Sequence, residues 1–181
     1  MKGLEHIPNS LRLWKAVVEL ANEEDARLLL QRVMLKTYDS AKRVLNKARD
    51  KLPKEPAIWI RATKLEEANG NTAAVGKIIE RAIRSLQRGG VEIDRETWMN
   101  EAEAAERAQS VATCHATIQN TIGIGVEDMD RKRTWVADAE ECKRRGSIET
   151  TRAIYNHALT VFHTKKSIWL KAAHLEKGHV N

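Results

Sequence analysis

Six histidines and two cysteines are the side chains with which this 181-residue sequence would hold a metal or build a nucleophile. Their spacing suits neither. His174 and His179 are five apart, which puts them on different faces of a helix. Cys114-His115 stands far from Cys142, without the close pairing of a structural zinc site. Both cysteines read as small core residues, and two thiols inside helical segments make no disulfide framework, as suits a reducing compartment. Gly123-Ile124-Gly125 follows a helix rather than a strand and lacks a third Gly or a Lys-Ser/Thr, so it reads as a connector and not a phosphate cradle. Glu66-Glu67 and Glu140-Glu141 read as solvated faces rather than a general acid and base. No Ser, Cys or Thr lies in a nucleophile motif. The expectation is therefore no catalytic, cofactor-binding or metal-ligating residue, no cofactor, and a chain that is not an enzyme.

Charge is the remaining chemistry. The net +6 is segmented: residues 1–34 are neutral, 35–54 carry +5, 55–91 carry +2, 92–142 carry −7 and 143–181 carry +6. A continuous nucleic-acid groove would not be interrupted by a block of −7. Segmented charge suits a surface that docks several partners, or one that stays soluble. Lys42, Arg43, Lys47, Arg49 and Lys51 form a candidate basic contact surface able to meet phosphates, with salt-dependent affinity. These bases alternate around their helix, and no aromatic interleaves with them as a stacking platform. A solvated helix or an acidic protein partner is therefore the expected reading, with direct contact to RNA the alternative and any RNA contact expected to be indirect.

The elements that carry these residues are helices. Periodicity is helical throughout and no strand alternation occurs; prolines fall only between helices, at Pro8, Pro53 and Pro56. No apolar run approaches the length of a membrane span, and the first residues lack the apolar core of a secretory signal. Aromatics make up 4% of the chain, yet five are tryptophans: Trp14, Trp59, Trp98, Trp135 and Trp169, at intervals of 45, 39, 37 and 34. Such a period, with two helices in each, predicts an all-α, right-handed superhelical solenoid of about ten helices. Residues 53–83 show the unit. Trp59, Ala62, Thr63 and Glu66 share one helical face with Leu65 beside them, Gly70 closes the helix, and Asn71 or Thr72 caps a second whose stripe includes Ile78 and Ile79. The five tryptophans, Leu65, Ile78, Ile79 and Leu159 are the expected repeat core.

A single domain over 1–181 then divides into repeats at about 10–34, a partial one at 35–52, then 55–88, 94–122, 128–162 and the start of another at 165–181. The partial repeat lacks its first helix, which accounts for the interval of 45. A break is expected near residues 37–40, with Asp39-Ser40 as cap. The Thr-rich segment 111–122 reads as the weakest second helix, and Asp94 and Ser147 as caps. The helix of Trp169 and Leu175 has no following partner in the sequence, which predicts either a longer array or end-to-end self-association.

Trp59 followed by Leu65-Glu66, and Trp169 by Leu175-Glu176, resemble the half-a-tetratricopeptide (HAT) repeat; Ala21, Ala105 and Cys142 replace that Glu in the other units. Over nearly the whole chain, segments such as Leu11-Arg12-Leu13-Trp14-Lys15-Ala16, Lys64-Leu65-Glu66-Glu67-Ala68-Asn69-Gly70-Asn71-Thr72 and Lys165-Lys166-Ser167-Ile168-Trp169-Leu170 resemble, in the same order, the pre-mRNA-processing factor 6 family. The resemblance implies a nuclear, non-catalytic scaffold in pre-mRNA splicing, with spliceosomal snRNP proteins as partners, that bridges U5 and U4/U6 particles during tri-snRNP assembly. Two alternatives stand beside it: a helical-repeat protein that binds RNA directly, and a truncated, inactive fragment of the scaffold.

Overall fold

Three hairpin turns of one construction, which recurs at the end of a helix at 89–91, organise the computed structural model, which describes residues 38–178. They occupy residues 69–71, 108–110 and 145–147. The middle residue of each is left-handed: Gly70 at φ 82°, Gln109 at 61° and Gly146 at 84°. The next amide then reaches back five residues: Asn71 N–H to the Glu66 carbonyl, Ser110 to Ala105 and Ser147 to Cys142, each at 2.9 Å. This bond closes a helix and reverses the chain. Glycine takes the conformation freely, whereas Gln109 carries a strain of roughly 1–2 kcal/mol.

Every regular element among the described residues is an α-helix: α1 Tyr38–Lys51, α2 Pro56–Ala68, α3 Thr72–Arg88, α4 Arg95–Arg107, α5 Val111–Thr121, α6 Arg131–Arg144, α7 Ile148–Val161 and α8 Lys166–Lys177. The turns make hairpins of α2 with α3, α4 with α5 and α6 with α7. Asp94 caps α4 as its position predicts, accepting from the Thr97 amide at 2.8 Å and the Thr97 hydroxyl at 2.6 Å. Ser147 stands at the N-cap of α7 without a side-chain bond to it. Asp39 and Ser40 lie inside the first described turn of α1, not ahead of it, so they are not its cap. The residues before Tyr38, with Trp14 and the 10–34 repeat, lie outside the described residues.

Connector length decides how the hairpins meet. The long links 89–94 and 122–130 carry α4 away from α3 and α6 away from α5, so the second helices α3, α5 and α7 pack side by side. The short links 52–55 and 162–165 instead hold α2 against α1 and α8 against α7. The position seven residues after each Trp follows the same division. It is Glu66 and Glu176 where the link is short, and each carboxylate bonds back to the preceding helix, to Lys42 and Arg152. Where the link is long it is Ala105 or Cys142, both buried.

α5 is the most enclosed helix, contrary to the expectation that it would be weak. It packs against α3, α4 and α7, with further contact to α2. Thr113, Thr117 and Thr121 are all buried, and Thr117 and Thr121 hydroxyls donate to the carbonyls four residues back at 2.7 and 2.8 Å. Small side chains with internally satisfied hydroxyls let neighbouring helices approach on every side, so few large apolar groups are needed.

Trp59, Trp98 and Trp135 are buried, with Leu65 and Ile79; Ile78 and Leu159 are partly buried and pack against the same clusters. Trp135 Nε1 donates to the Ile122 carbonyl at 2.9 Å, and its ring is tilted against His157 and Phe162. Trp169 departs from the set. It is 53% exposed beside exposed Leu170, its indole N–H bonding the His163 carbonyl at 2.8 Å. α8 packs on α7 through Ile168 and Leu175, and no helix among the described residues covers its Trp169 face. Cys114 and Cys142 are buried free thiols, and burial pushes both up to about 12.

Candidate partner-binding surface

Glu67 joins one hairpin to the next instead of lying idle in solvent, whereas Glu141 stays half-exposed and pairs only locally, with Arg144 and Arg145. Glu67, in the last turn of α2, accepts from the Ala112 and Thr113 amides at 2.8 and 2.9 Å and from the Thr113 hydroxyl at 2.8 Å. Glu106, in the last turn of α4, does the same one hairpin later, accepting from Glu149 and Thr150 amides at 2.9 and 3.0 Å and the Thr150 hydroxyl at 2.7 Å. Each carboxylate thus serves the amides that open the second helix of the next hairpin, where anions are favoured. Both stand eight residues after a buried Trp, the signal by which a sequence would betray them.

Glu66 is buried, which works to raise its pKa. Hydrogen bonds from Lys42 at 2.8 Å, Asn71 at 2.8 Å and the Tyr38 hydroxyl outweigh that and hold the carboxyl below its usual range. Glu140 accepts from Lys171 at 2.6 Å and the Tyr155 hydroxyl at 2.8 Å; the Lys171 bond lowers its pKa more than burial raises it, and the Tyr155 bond lowers it further. Arg145 bonds Glu103 at 2.6 Å and Arg95 pairs with Asp138, so two ion pairs cross from α4 to α6, whose backbones make no sustained contact. His115 meets Glu149 at 3.2 Å.

The candidate basic surface divides. Arg43 and Lys51 are exposed and Lys47 is half-buried. Lys42 is drawn to Glu66 and Tyr38, and its pKa is raised by those bonds. Arg49 lies over the Trp59 ring, 5.3 Å from its centre. Lys42 and Arg49 face a cleft whose opposite wall is α3, and that wall supplies Arg81, Arg84 and Arg88. These three arginines were absent from the sequence-based surface, although intervals of three and four place them on one helical face. No helix among the described residues is long and apolar enough to cross a membrane.

Helix pairs of one construction, cross-linked by carboxylates from one pair to the next, define the class: an all-α chain consistent with a helical-repeat protein. No family model matches the chain. Among curated relatives it is 56% identical over 60% of its length to human pre-mRNA-processing factor 6, and 70% identical over 84% to the Arabidopsis protein STABILIZED1. It is also 38% identical over 61% to fission-yeast pre-mRNA-splicing factor prp1. The chain carries a segment of the pre-mRNA-processing factor 6 family, and it spans 12% of the human relative and 17% of the plant one. The plant alignment runs over 175 positions but draws on 84% of these 181 residues, about 152, so roughly twenty positions of the relative face a gap in this chain.

Proposed function

We propose that this chain is a non-catalytic, nuclear scaffold segment of pre-mRNA splicing, a right-handed HAT-repeat solenoid that helps bridge protein and RNP components as the U4/U6-U5 tri-snRNP assembles. Its repeats are those at about 55–88, 94–122 and 128–162, flanked by the partial 35–52 and by 165–181. The observation that carries the reading is the 56% identity to human pre-mRNA-processing factor 6. The repeated carboxylate joints of Glu67 and Glu106 support it, because a scaffold must hold successive hairpins at fixed angles. Roughly twenty unmatched positions equal in number the residues of one helix and its turns, and a helix of that length is the element expected to be missing before α1.

The test is gradient sedimentation of nuclear extract from cells expressing the tagged full chain. Co-migration with particles that contain both U5 and U4/U6 RNA is expected, and it must survive brief ribonuclease treatment that removes exposed RNA. Migration as a free protein would overturn the scaffold reading in favour of an inactive fragment. Direct RNA binding predicts something else: the purified chain alone would bind RNA tightly and lose it steeply as salt rises.

A further inference from the structure

α3 packs on α5 and α5 on α7, but α1 makes its contact with α2 and stands off α3. The gap holds two cavities of about 260 and 550 Å³ that share Arg49, Trp59 and Arg81 as lining. Apolar side chains, Ile58, Leu65 and Ile78 among them, line the first. Around the two, five bases stand against two acids; Lys42 is bonded to Glu66, which also takes Asn71 and Tyr38, and Arg84 pairs with Glu80, leaving Arg49, Arg81 and Arg88 as the cleft's positive charge. The other acid, Asp50, is exposed. Trp59 is 6% exposed, and its indole N–H has no acceptor although the atom is fully buried. A buried donor without a partner costs roughly 1–3 kcal/mol, which makes the Trp59 indole sensitive to rearrangement of the cleft wall.

We propose that the cleft between α1 and α3 docks an acidic, amphipathic peptide segment of a partner protein. Its apolar side chains would lie on Ile58, Leu65 and Ile78, and its carboxylates would pair with Arg49, Arg81 and Arg88. Nucleic acid fits less well. Stacking bases need an open aromatic face, and the one aromatic ring lining the cleft is buried with Arg49 over it. Arginine forks, by contrast, match carboxylates in pairs, and an apolar floor selects side chains rather than sugars.

The proposal takes its protein partner from the scaffold reading, yet the two fail separately: a silent cleft leaves particle association intact, and lost association leaves the cleft titration standing. The experiment uses the full chain labelled with nitrogen-15, the Trp59 indole resonance being assigned by its loss in Trp59→Phe. Probes are a synthetic amphipathic Glu/Leu peptide, its Gln/Leu counterpart and an oligouridylate RNA. The Glu/Leu peptide should shift the Trp59 resonance, and Arg81→Gln with Arg88→Gln should weaken it about tenfold or more, the scale of lost charge pairs. Both arginines are exposed, so the double variant keeps the fold, checked by unchanged resonances of Trp98 and Trp135. An unmoved Trp59 resonance, an equal shift with the Gln/Leu peptide, or a shift by RNA at lower concentration would each overturn the proposal.

Discussion

Replacing Glu67 by Ala removes a carboxylate that holds two amides and a hydroxyl of another hairpin. Loss of a helix-opening acceptor costs about 1 kcal/mol. The buried Thr113 hydroxyl also loses its partner, a further cost of about 1–3 kcal/mol, reduced because Glu67 is itself half-exposed and water can enter. Glu67→Ala should therefore destabilise by about 2–3 kcal/mol, and Glu67→Gln, which keeps one acceptor oxygen, by about 1 kcal/mol. Glu106→Ala acts at a separate joint on Glu149 and Thr150, so the two losses should add to within about 0.5 kcal/mol. Urea unfolding of the full chain gives the energies, and hydrogen exchange gives their location. Protection should fall at Ala112 and Thr113 in one variant and at Glu149 and Thr150 in the other. A Glu67→Ala cost below about 0.5 kcal/mol, the scale of an ordinary surface change, or unaltered exchange at Ala112 and Thr113, would refute the joint.

Trp135→Ala should cost about 3–5 kcal/mol in urea unfolding, whereas Trp169→Ala, at a half-exposed site, should cost less than about 1 kcal/mol. Gln109→Gly relieves a left-handed non-glycine residue and should stabilise the chain by up to about 1 kcal/mol, read as a raised unfolding midpoint. Because Glu66 is held below its ordinary 4.5, its stabilisation is present above that pH and is lost as pH falls through the lowered value. Glu66→Gln should flatten this part of the acid limb in thermal melts against pH. His157 is pushed down, first by burial and then by Arg131, so the folded state resists its protonation. Stability should fall as pH drops below the ordinary 6.5, and His157→Phe should remove that slope.

Local signals were the legible ones. Gly70 and Asp94 each act within a few residues of their own position, and a tryptophan on a helical face marks that face, so helix ends and core faces could be read without knowing what packs where. The joints could not be read that way. Glu67 meets Thr113 across a separation of 46 residues and Glu106 meets Thr150 across 44, so a carboxylate that looks solvated on its own helix is occupied by another. The same cause misjudged α5, whose Thr residues look weak in isolation and are suited to a place enclosed by neighbours. Trp169 shows the reverse error: a residue type and interval that match the buried tryptophans, on a helix whose outer face nothing described covers. Arg81, Arg84 and Arg88 formed a readable stripe, but only the cleft tells that they face Arg49.

The α3–α5–α7 side of the stack is backbone close to backbone, while α4 and α6 meet through side chains alone: Met99, Ala102 and Ala105 share a buried cluster with Ala139 and Cys142, and the Arg145–Glu103 and Arg95–Asp138 pairs cross beside it. Such a body is held by main-chain proximity along one edge and by packed side chains along the other. Screening weakens exposed charge pairs most, and Glu103 is buried, so salt leaves that crossing largely intact.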